Sequence, residues 1–363
     1  MSPTVASRQP LTSRERVLLA LDRRETDRIP IAMICSGLEA PARRAFAEHL
    51  RRTRDISVDA YLHPLIDVAT VAPAYVGPST EPGEDMWGVR RAPMSYGDGS
   101  YHEIAYHPLA EASSVDDLRG YQWPSTEWFD YSTLPARIVE ARAEGDRCLM
   151  VANGCLFETS WYMRGFERML LDFALNPEFA RHLMGRVTDF FVAHFREMLA
   201  AGCGEIDLAF TADDIGDQRG LLMSLPMWEE LIKPCHVRLN AAIHEFGARV
   251  VYHTDGAVAE AVPGLIDMGI DVLQALQFSA AGMCPESLKS LHGERLCFAG
   301  GVSVQTTLPF GTSDDVREEV EGLIATLGEG GGYILGPSHA IQAGTPPENV
   351  AALFDTAAAH YPF

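Results

Sequence analysis

The chain has 363 residues, 47% of them hydrophobic, and 29 Lys and Arg against 50 Asp and Glu give a formal net charge of -21. Such negative charge repels phosphate backbones and anionic headgroups, so we expect no nucleic-acid partner and no membrane-surface partner. No apolar run approaches the ~18 residues of a membrane span, and the scattered cysteines contain no CxxC pair, which predicts a cytoplasmic protein without a disulfide framework.

The first predicted elements are a disordered lead-in and a helix. Residues 1–11 are polar and include two prolines. Thr12 and Glu15 have capping-box spacing, and Val17 and Leu21 then recur on one helical face, so a helix is predicted to begin there.

After this helix the chain repeats one pattern: a short apolar run, a polar or glycine-containing turn, and a longer segment of helical period. Such runs are too short for helices and predict strands. They lie at 29–35, 55–62 (the weakest), 148–152, 206–210, 249–253, 272–276, 296–300 and 333–335.

Strands that alternate with helices predict a parallel sheet, and roughly eight such units are what a closed (β/α)8 TIM barrel requires. A doubly wound open sheet is the alternative, but no GxGxxG follows the first predicted strand. Residues 72–128 are rich in Pro, Gly, Tyr and Trp and lack apolar periodicity. We interpret residues 1–363 as one barrel domain, with 72–128 as an insertion over its mouth.

Polar residues that directly follow the strands indicate the site, because strand C-terminal ends carry the site of a parallel barrel. His253 and Asp255 are two apart and point to the same side. With His339 after the last strand they could bind zinc or another divalent metal. In the alternative, His253 hydrogen-bonds a substrate or the backbone, and Asp255 caps the following helix.

Two further carboxylates are candidates. Adjacent Asp213 and Asp214 point to different sides, so Asp214 can face the site as an acid/base or substrate anchor while Asp213 caps or pairs elsewhere. Glu158 begins a predicted helix, where the dipole favours a carboxylate in any case. Tyr162 is one turn later on the same face, and is either a hydrogen-bond donor to a ligand or an aromatic core contact.

Gln218 and Cys155 complete the predicted substrate-binding residues. Gln218 shares a turn with Arg219, which we expect to pair with Asp217. Cys155 follows a predicted strand among polar neighbours and is a candidate nucleophile or soft metal ligand, although a core or lining thiol is the alternative.

Several stretches together resemble the uroporphyrinogen decarboxylase superfamily, over the chain from about residue 12 to its end. They read LTSRERVLLALDRRETDRIP, TADDIGDQRG, HTDGAVAEAVPGLIDMGIDVLQALQ and GGGYILGPSHAIQAGTPPENVAALF. The sequence looks most similar to the cobalamin-linked methyltransferase and O-demethylase branch. This resemblance implies a single barrel with its pocket at the strand C-terminal face.

Departures from the family pattern limit what the resemblance implies. Uroporphyrinogen decarboxylases carry RQAGRY after the first strand to bind substrate carboxylates, where this chain reads ICSGLEAPARRAF. The coenzyme M methyltransferases bind zinc through H-x-C and a later Cys, where this chain has His253-Thr254-Asp255 and Ser338-His339. The histidine matches and both thiolates are missing, although His253, Asp255 and His339 could still hold a harder metal.

The resemblance implies a methyltransferase that moves a methyl group between a small methoxylated or methylated substrate and a corrinoid. No D-x-H-x-x-G occurs, so we expect a partner protein to carry the corrinoid; a homo-oligomer stays open. We expect His253 with Asp255 to activate the leaving group, and Asp214, Glu158, Tyr162 and His339 to orient substrate or supply protons. The alternatives are a decarboxylase of a small carboxylated substrate and a non-catalytic ligand-binding barrel.

Overall fold

The computed structural model describes residues 10–35, 37–96 and 99–360, so residues 1–9 of the predicted lead-in lie outside the described residues. The strands are β1 (Val68–Thr70), β2 (Ala74–Tyr75), β3 (Arg90–Tyr96), β4 (Gly99–Tyr106), β5 (Phe129–Asp130), β6 (Cys148–Cys155), β7 (Leu208–Ala212), β8 (Arg249–His253), β9 (Val272–Ala275), β10 (Cys297–Val302) and β11 (Tyr333–Pro337). The first helices are α1 (Ser13–Leu21), α2 (Ala40–Arg54), α3 (Val58–Leu62), α4 (Val115–Arg119), α5 (Leu134–Ala141), α6 (Phe157–Arg164), α7 (Phe166–Leu175) and α8 (Pro177–Ala201). The remaining helices are α9 (Leu225–Leu231), α10 (Lys233–His244), α11 (Val262–Asp267), α12 (Pro285–His292), α13 (Thr307–Phe310), α14 (Ser313–Leu327) and α15 (Pro347–Ala359).

The described part of the chain contains one seven-stranded parallel sheet in the order β1-β6-β7-β8-β9-β10-β11. A short segment around Ile31 closes it. Ile31 forms a parallel bridge with Leu335 of β11, and its carbonyl accepts the Asp67 N–H just before β1 at 2.8 Å. This segment therefore occupies the eighth strand position, and the predicted (β/α)8 barrel is confirmed.

One predicted strand is wrong. Residues 55–62 contain helix α3, because Ser57 caps it by accepting the Ala60 N–H at 3.1 Å. Its buried residues Val58, Tyr61 and Leu62 have helical spacing. The strand that precedes β6 in the sheet is instead β1, whose three residues are too few to show a pattern in the sequence.

Side chains of the barrel strands alternate between two apolar layers. Those on one face, such as Met150 and Val251, pack with Val17 and Leu21 of α1. Those on the other face pack against the surrounding helices. Helix α1 therefore covers the N-terminal end of the barrel, and its predicted capping box between Thr12 and Glu15 is present.

Residues 72–128, the predicted insertion, contain β2, β3, β4 and the short helix α4, and β5 begins directly after them. β2 pairs with β5, and β3 pairs with β4 as a hairpin. Trp87 attaches this segment to the barrel, with its ring centroid 5.1 Å from Phe190 and 5.7 Å from Phe191 of α8.

Across the described residues, no helix combines the length and the apolar character needed to cross a membrane.

Candidate functional site

The C-terminal ends of β7 and β8 bring together a carboxylate–imidazole set. Ligand atoms of Asp214, His253 and Asp255 all lie within 4.8 Å of one another. His253 Nε2 is 3.7 Å from Asp214 Oδ1, and the backbone N–H of Asp255 donates to the same oxygen at 2.7 Å. Asp214 thus holds the backbone after β8 while its carboxylate faces the imidazole.

A second set shares His253 but not Asp255. Ligand atoms of Cys35, His253 and His339 lie within 4.8 Å of one another, and the two imidazole centroids are 5.6 Å apart. A side-chain hydrogen bond with Cys35 raises the pKa of His339, against the lowering effect of burial. The three predicted metal ligands are therefore neighbours, but Asp255 and His339 belong to different sets, and Cys35 is a member that the sequence analysis missed.

A hydrogen bond from Nδ1, the ring nitrogen turned away from Asp214, orients the His253 ring. Its Nδ1 lies 2.5 Å from the side-chain oxygen of Gln274 on β9, and the Gln274 amide donates to the Ser338 carbonyl at 3.4 Å. Because an amide oxygen only accepts, Nδ1 carries a proton, and Nε2 is the ring nitrogen that faces Asp214.

Asp213, the neighbour of Asp214, positions helix α6. Its carboxylate accepts the backbone N–H groups of Phe157 and Glu158, both at 2.8 Å. It also lies 2.5 Å from His236 Nε2, and both side chains are fully buried. Asp213 therefore caps the start of α6 and pairs with a buried histidine rather than a surface base, whereas Asp214 lies beside His253.

Glu158 retains its proton at neutral pH. Burial is the main cause that raises its pKa to about 8, and the nearby charges of Asp214 and Asp213 add to it. The Tyr162 hydroxyl donates to Glu158 Oε1 at 2.9 Å, one helical turn away. Burial, with the Glu158 charge, also raises the pKa of the Cys155 thiol, which hydrogen-bonds that carboxyl group.

Two cavities flank these groups. The aromatic cavity, of about 490 Å³, is lined by Cys155 and Tyr162 together with Trp87 and Arg91 from the insertion. The polar cavity, of about 520 Å³, is lined by Asp255, Ser338 and His339. Glu158 contacts the wall of the aromatic cavity through Tyr162. Asp214 and His253 contact the wall of the polar cavity through Asp255 and His339.

Gln218 lies away from the aromatic cavity. Its side-chain oxygen accepts from Gln277 at 2.7 Å, and Gln277 also donates to Gln305 at 2.9 Å. Gln277 and Gln305 line the polar cavity, so Gln218 supports that wall from behind. Arg219 is exposed and pairs with Asp217, as expected.

Sequence reasoning missed Cys35, Gln274 and Arg91 for different reasons. Cys35 ends the first apolar run, so the strand-end criterion could have selected it. Gln274 lies inside an apolar run, where a polar residue is itself a signal. Arg91 belongs to the insertion, which has no strand register that would place it.

The donor atoms present fit a divalent metal. One thiol and two imidazoles within 4.8 Å are the ligand types of zinc. The Gln274 contact on His253 Nδ1 is the outer hydrogen bond that fixes a ligating imidazole. The carboxylate set suits a harder ion.

A family model described as uroporphyrinogen decarboxylase (URO-D) matches residues 12–360. The chain belongs to the uroporphyrinogen decarboxylase family. The expected family is thereby confirmed, and its match spans the barrel and the insertion together.

Curated relatives in the uroporphyrinogen decarboxylase family are distant. Uroporphyrinogen decarboxylase of Alkalilimnicola ehrlichii is 24% identical over 366 residues, covering 94% of this chain and 92% of that protein. The enzyme of Xanthomonas euvesicatoria is 22% identical over 375 residues, covering 94% of this chain and 97% of that protein. Among solved structures, a methyltransferase from Methanosarcina mazei has a TM-score of 0.69 at 19% identity, covering 96% of this chain and 99% of that chain. At that identity the similarity shows a shared fold.

Proposed function

We propose that this protein is a methyltransferase that moves a methyl group between a small methoxylated or methylated substrate and a corrinoid carried by a partner protein. One observation carries the proposal: members of one acid/base cluster contact residues that line two cavities, of about 490 and 520 Å³. A group transfer needs room for two reactants around one set of reacting groups. The solved methyltransferase that shares the fold supports the same reaction class.

Decarboxylation of uroporphyrinogen is less well supported. The substrate has many carboxylates, and the net charge of this chain is -21. Arg43, from the segment that replaces the arginine motif, pairs with Asp59 at 2.7 Å on the surface, where both side chains are exposed. It therefore does not face the site.

The residues divide the work of an in-line displacement. Glu158, protonated at neutral pH, supplies the proton that the leaving oxygen or nitrogen needs, and Tyr162 holds its carboxyl group. His253 and Asp255 activate the leaving group, while Asp214 and His339 orient the reactants. Cys155 lines the aromatic cavity, and Gln218 supports the wall of the polar cavity.

A divalent metal would bind at His253, with Cys35 and His339 or with Asp214 and Asp255. It would supply Lewis-acid stabilisation of charge on the leaving group. We propose zinc for the set that contains the thiol.

The test is methyl transfer from methoxyaromatic compounds to added cob(I)alamin or a corrinoid protein, followed by the absorbance of the corrinoid. We expect a methylated corrinoid product, lost in His253→Ala. His244→Ala is the matched control, because His244 pairs with Asp271 at 2.9 Å in a comparable contact at the opposite, N-terminal end of the barrel. Release of carbon dioxide without a methyl carrier would instead identify the lyase, and tight binding without turnover would identify a ligand-binding barrel.

A further inference from the structure

The aromatic cavity contains a charged group that the mechanism above does not use. Arg91 lines this cavity from the insertion. Its guanidinium carbon lies 5.1 Å from the centroid of the Tyr162 ring, so the charge is placed against the same helix that carries Glu158.

The Asp85 side chain organises the turn that precedes Arg91 and binds the Arg91 guanidinium. Asp85 accepts the backbone N–H groups of Trp87 and Val89 at 2.9 and 3.1 Å, and its other oxygen accepts from Arg91 Nη1 at 2.6 Å. The Arg91 backbone N–H donates to the Gly83 carbonyl at 2.8 Å. Asp85 is thus engaged as an acceptor, and it fixes one edge of the guanidinium.

The pairing of β3 with β4 shifts in register between Arg90 and Arg91, so these neighbouring side chains have different surroundings. Such bulges re-aim side chains. Arg90 lies over the Tyr106 ring at 4.7 Å and pairs with Glu84, outside the cavity.

The cavity walls favour a flat ring. They present aromatic faces from the insertion and from the barrel helices: Tyr75, Trp87, Phe129, Tyr162 and Phe191. His194 also lines the cavity, but burial lowers its pKa to about 4, so it is neutral. Among the described lining residues, Arg91 is therefore the one that carries a permanent positive charge.

We propose that the aromatic cavity binds an aromatic carboxylate and that Arg91 is its anion anchor. The ring packs on the aromatic walls, and the carboxylate accepts from the guanidinium N–H groups that Asp85 does not use. This proposal deepens the proposed function by naming the substrate class: an aromatic acid whose methoxy group is directed towards Glu158.

The first test compares matched ligands by calorimetry, with no corrinoid present. The probes are 4-methoxybenzoate, 4-methoxybenzyl alcohol and 4-methoxybenzylamine, which share the ring and differ in charge. We expect the acid to bind about tenfold to a hundredfold more tightly than the alcohol, the range that a charge-assisted hydrogen bond gives. Equal binding of acid and alcohol, tighter binding of the amine, or no binding of the acid would overturn the proposal.

The second test uses variants. Arg91→Gln should remove the preference for the acid and leave alcohol binding within about twofold, and Arg91→Lys should restore part of the preference. Arg90→Gln is the matched control, since it removes a neighbouring arginine that also has an acidic and an aromatic partner. Loss of the preference in Arg90→Gln, or its retention in Arg91→Gln, would contradict the assignment.

The two proposals fail separately. Binding of 4-methoxybenzoate that depends on Arg91, without methyl transfer to a corrinoid, would refute the proposed reaction and leave the anchor intact. Methyl transfer from 4-methoxybenzoate that is as fast in Arg91→Gln as in the wild type, with unchanged affinity for the acid, would refute the anchor and leave the reaction intact.

Discussion

At the scale of single residues, Glu158 links protonation to stability. Its pKa of about 8 in the folded state exceeds the ordinary value of 4.5, so the folded chain binds the proton more tightly than the unfolded chain does. Its contribution to stability is full below about pH 4.5 and is lost as the pH rises through 8.

We therefore expect Glu158→Gln to gain thermal stability relative to the wild type as the pH rises from 5 to 9. An amide keeps the hydrogen bond from Tyr162 and cannot ionise. The difference in unfolding temperature, measured at each pH, tests this. Glu167→Gln, in the exposed first turn of α7, is the control and should show no such trend. A difference that is constant across the pH range would contradict the shifted pKa.

Cys35 decides between the two ligand sets. If the thiol set binds the metal, Cys35→Ser should lower the zinc content of chelator-free protein well below stoichiometric, because serine is a poor ligand for zinc. Asp255→Asn should then retain zinc, and so should Cys203→Ser, whose thiol is exposed. Elemental analysis measures all three. Metal lost in Asp255→Asn and kept in Cys35→Ser would assign the carboxylate set instead.

At the scale of elements, the barrel closes at a contact that only glycine permits. A Cβ on Gly336 of β11 would lie 2.1 Å from the Ala32 carbonyl oxygen, in the segment that occupies the eighth strand position. That atom is backbone and cannot move aside without opening the seam.

Gly336→Ala should therefore lower the free energy of unfolding by about 1–3 kcal/mol, the usual cost of overpacking. Gly185→Ala in α8 is the matched control, since a Cβ there meets nothing within 4 Å. It should leave stability unchanged or raise it by up to about 1 kcal/mol, because alanine favours helices. Urea unfolding measures both, and equal effects at the two positions would contradict the close contact.

The elements also explain how far the sequence could be interpreted. Strands such as β7 and β11 are buried at every position, so each reads as an apolar run. Residues 55–62 are more polar, with Asp55, Ser57 and Asp59, and the Ser57 cap and helical burial produce α3 there. The same reasoning explains which residues of the candidate site the sequence could indicate. Asp214 and His253 lie at or just after strand ends, where the strand pattern places them. The position of Arg91 depends on a turn in the insertion, which the sequence pattern does not specify.

At the scale of the whole molecule, the carboxylates at the two ends of the barrel have different partners. At the N-terminal end, aspartates directly before strands are paired with basic side chains. These pairs are Asp67 with Arg16 and Arg28, Asp207 with Arg14, and Asp271 with His244 and Arg249. At the C-terminal end, Glu158, Asp214 and Asp255 gather around His253. In such barrels the first arrangement serves stability and the second serves function.

Asp67 and Asp214 test this division, because each can be changed to asparagine with little change of shape. Asp67 is fully buried and lies 2.7 Å from both Arg16 and Arg28. Asp67→Asn leaves the buried guanidinium of Arg28 without its counter-charge and leaves Arg16 paired with Asp27 alone. We therefore expect a loss of about 3–5 kcal/mol in the free energy of unfolding. Methyl transfer below the unfolding transition should be retained.

Asp214→Asn should have the opposite effect. Its side chain is 40% exposed, and asparagine can still accept the Asp255 N–H, so the free energy of unfolding should stay constant or rise. Because Asp214 orients the reactants beside His253, losing its carboxylate should reduce methyl transfer by roughly a hundredfold, the scale that misplaced reactants cost. Urea unfolding and initial rates on both variants measure the contrast. Equal losses of stability in the two variants, or full activity in Asp214→Asn, would show that the two ends of the barrel do not divide stability and function in this way.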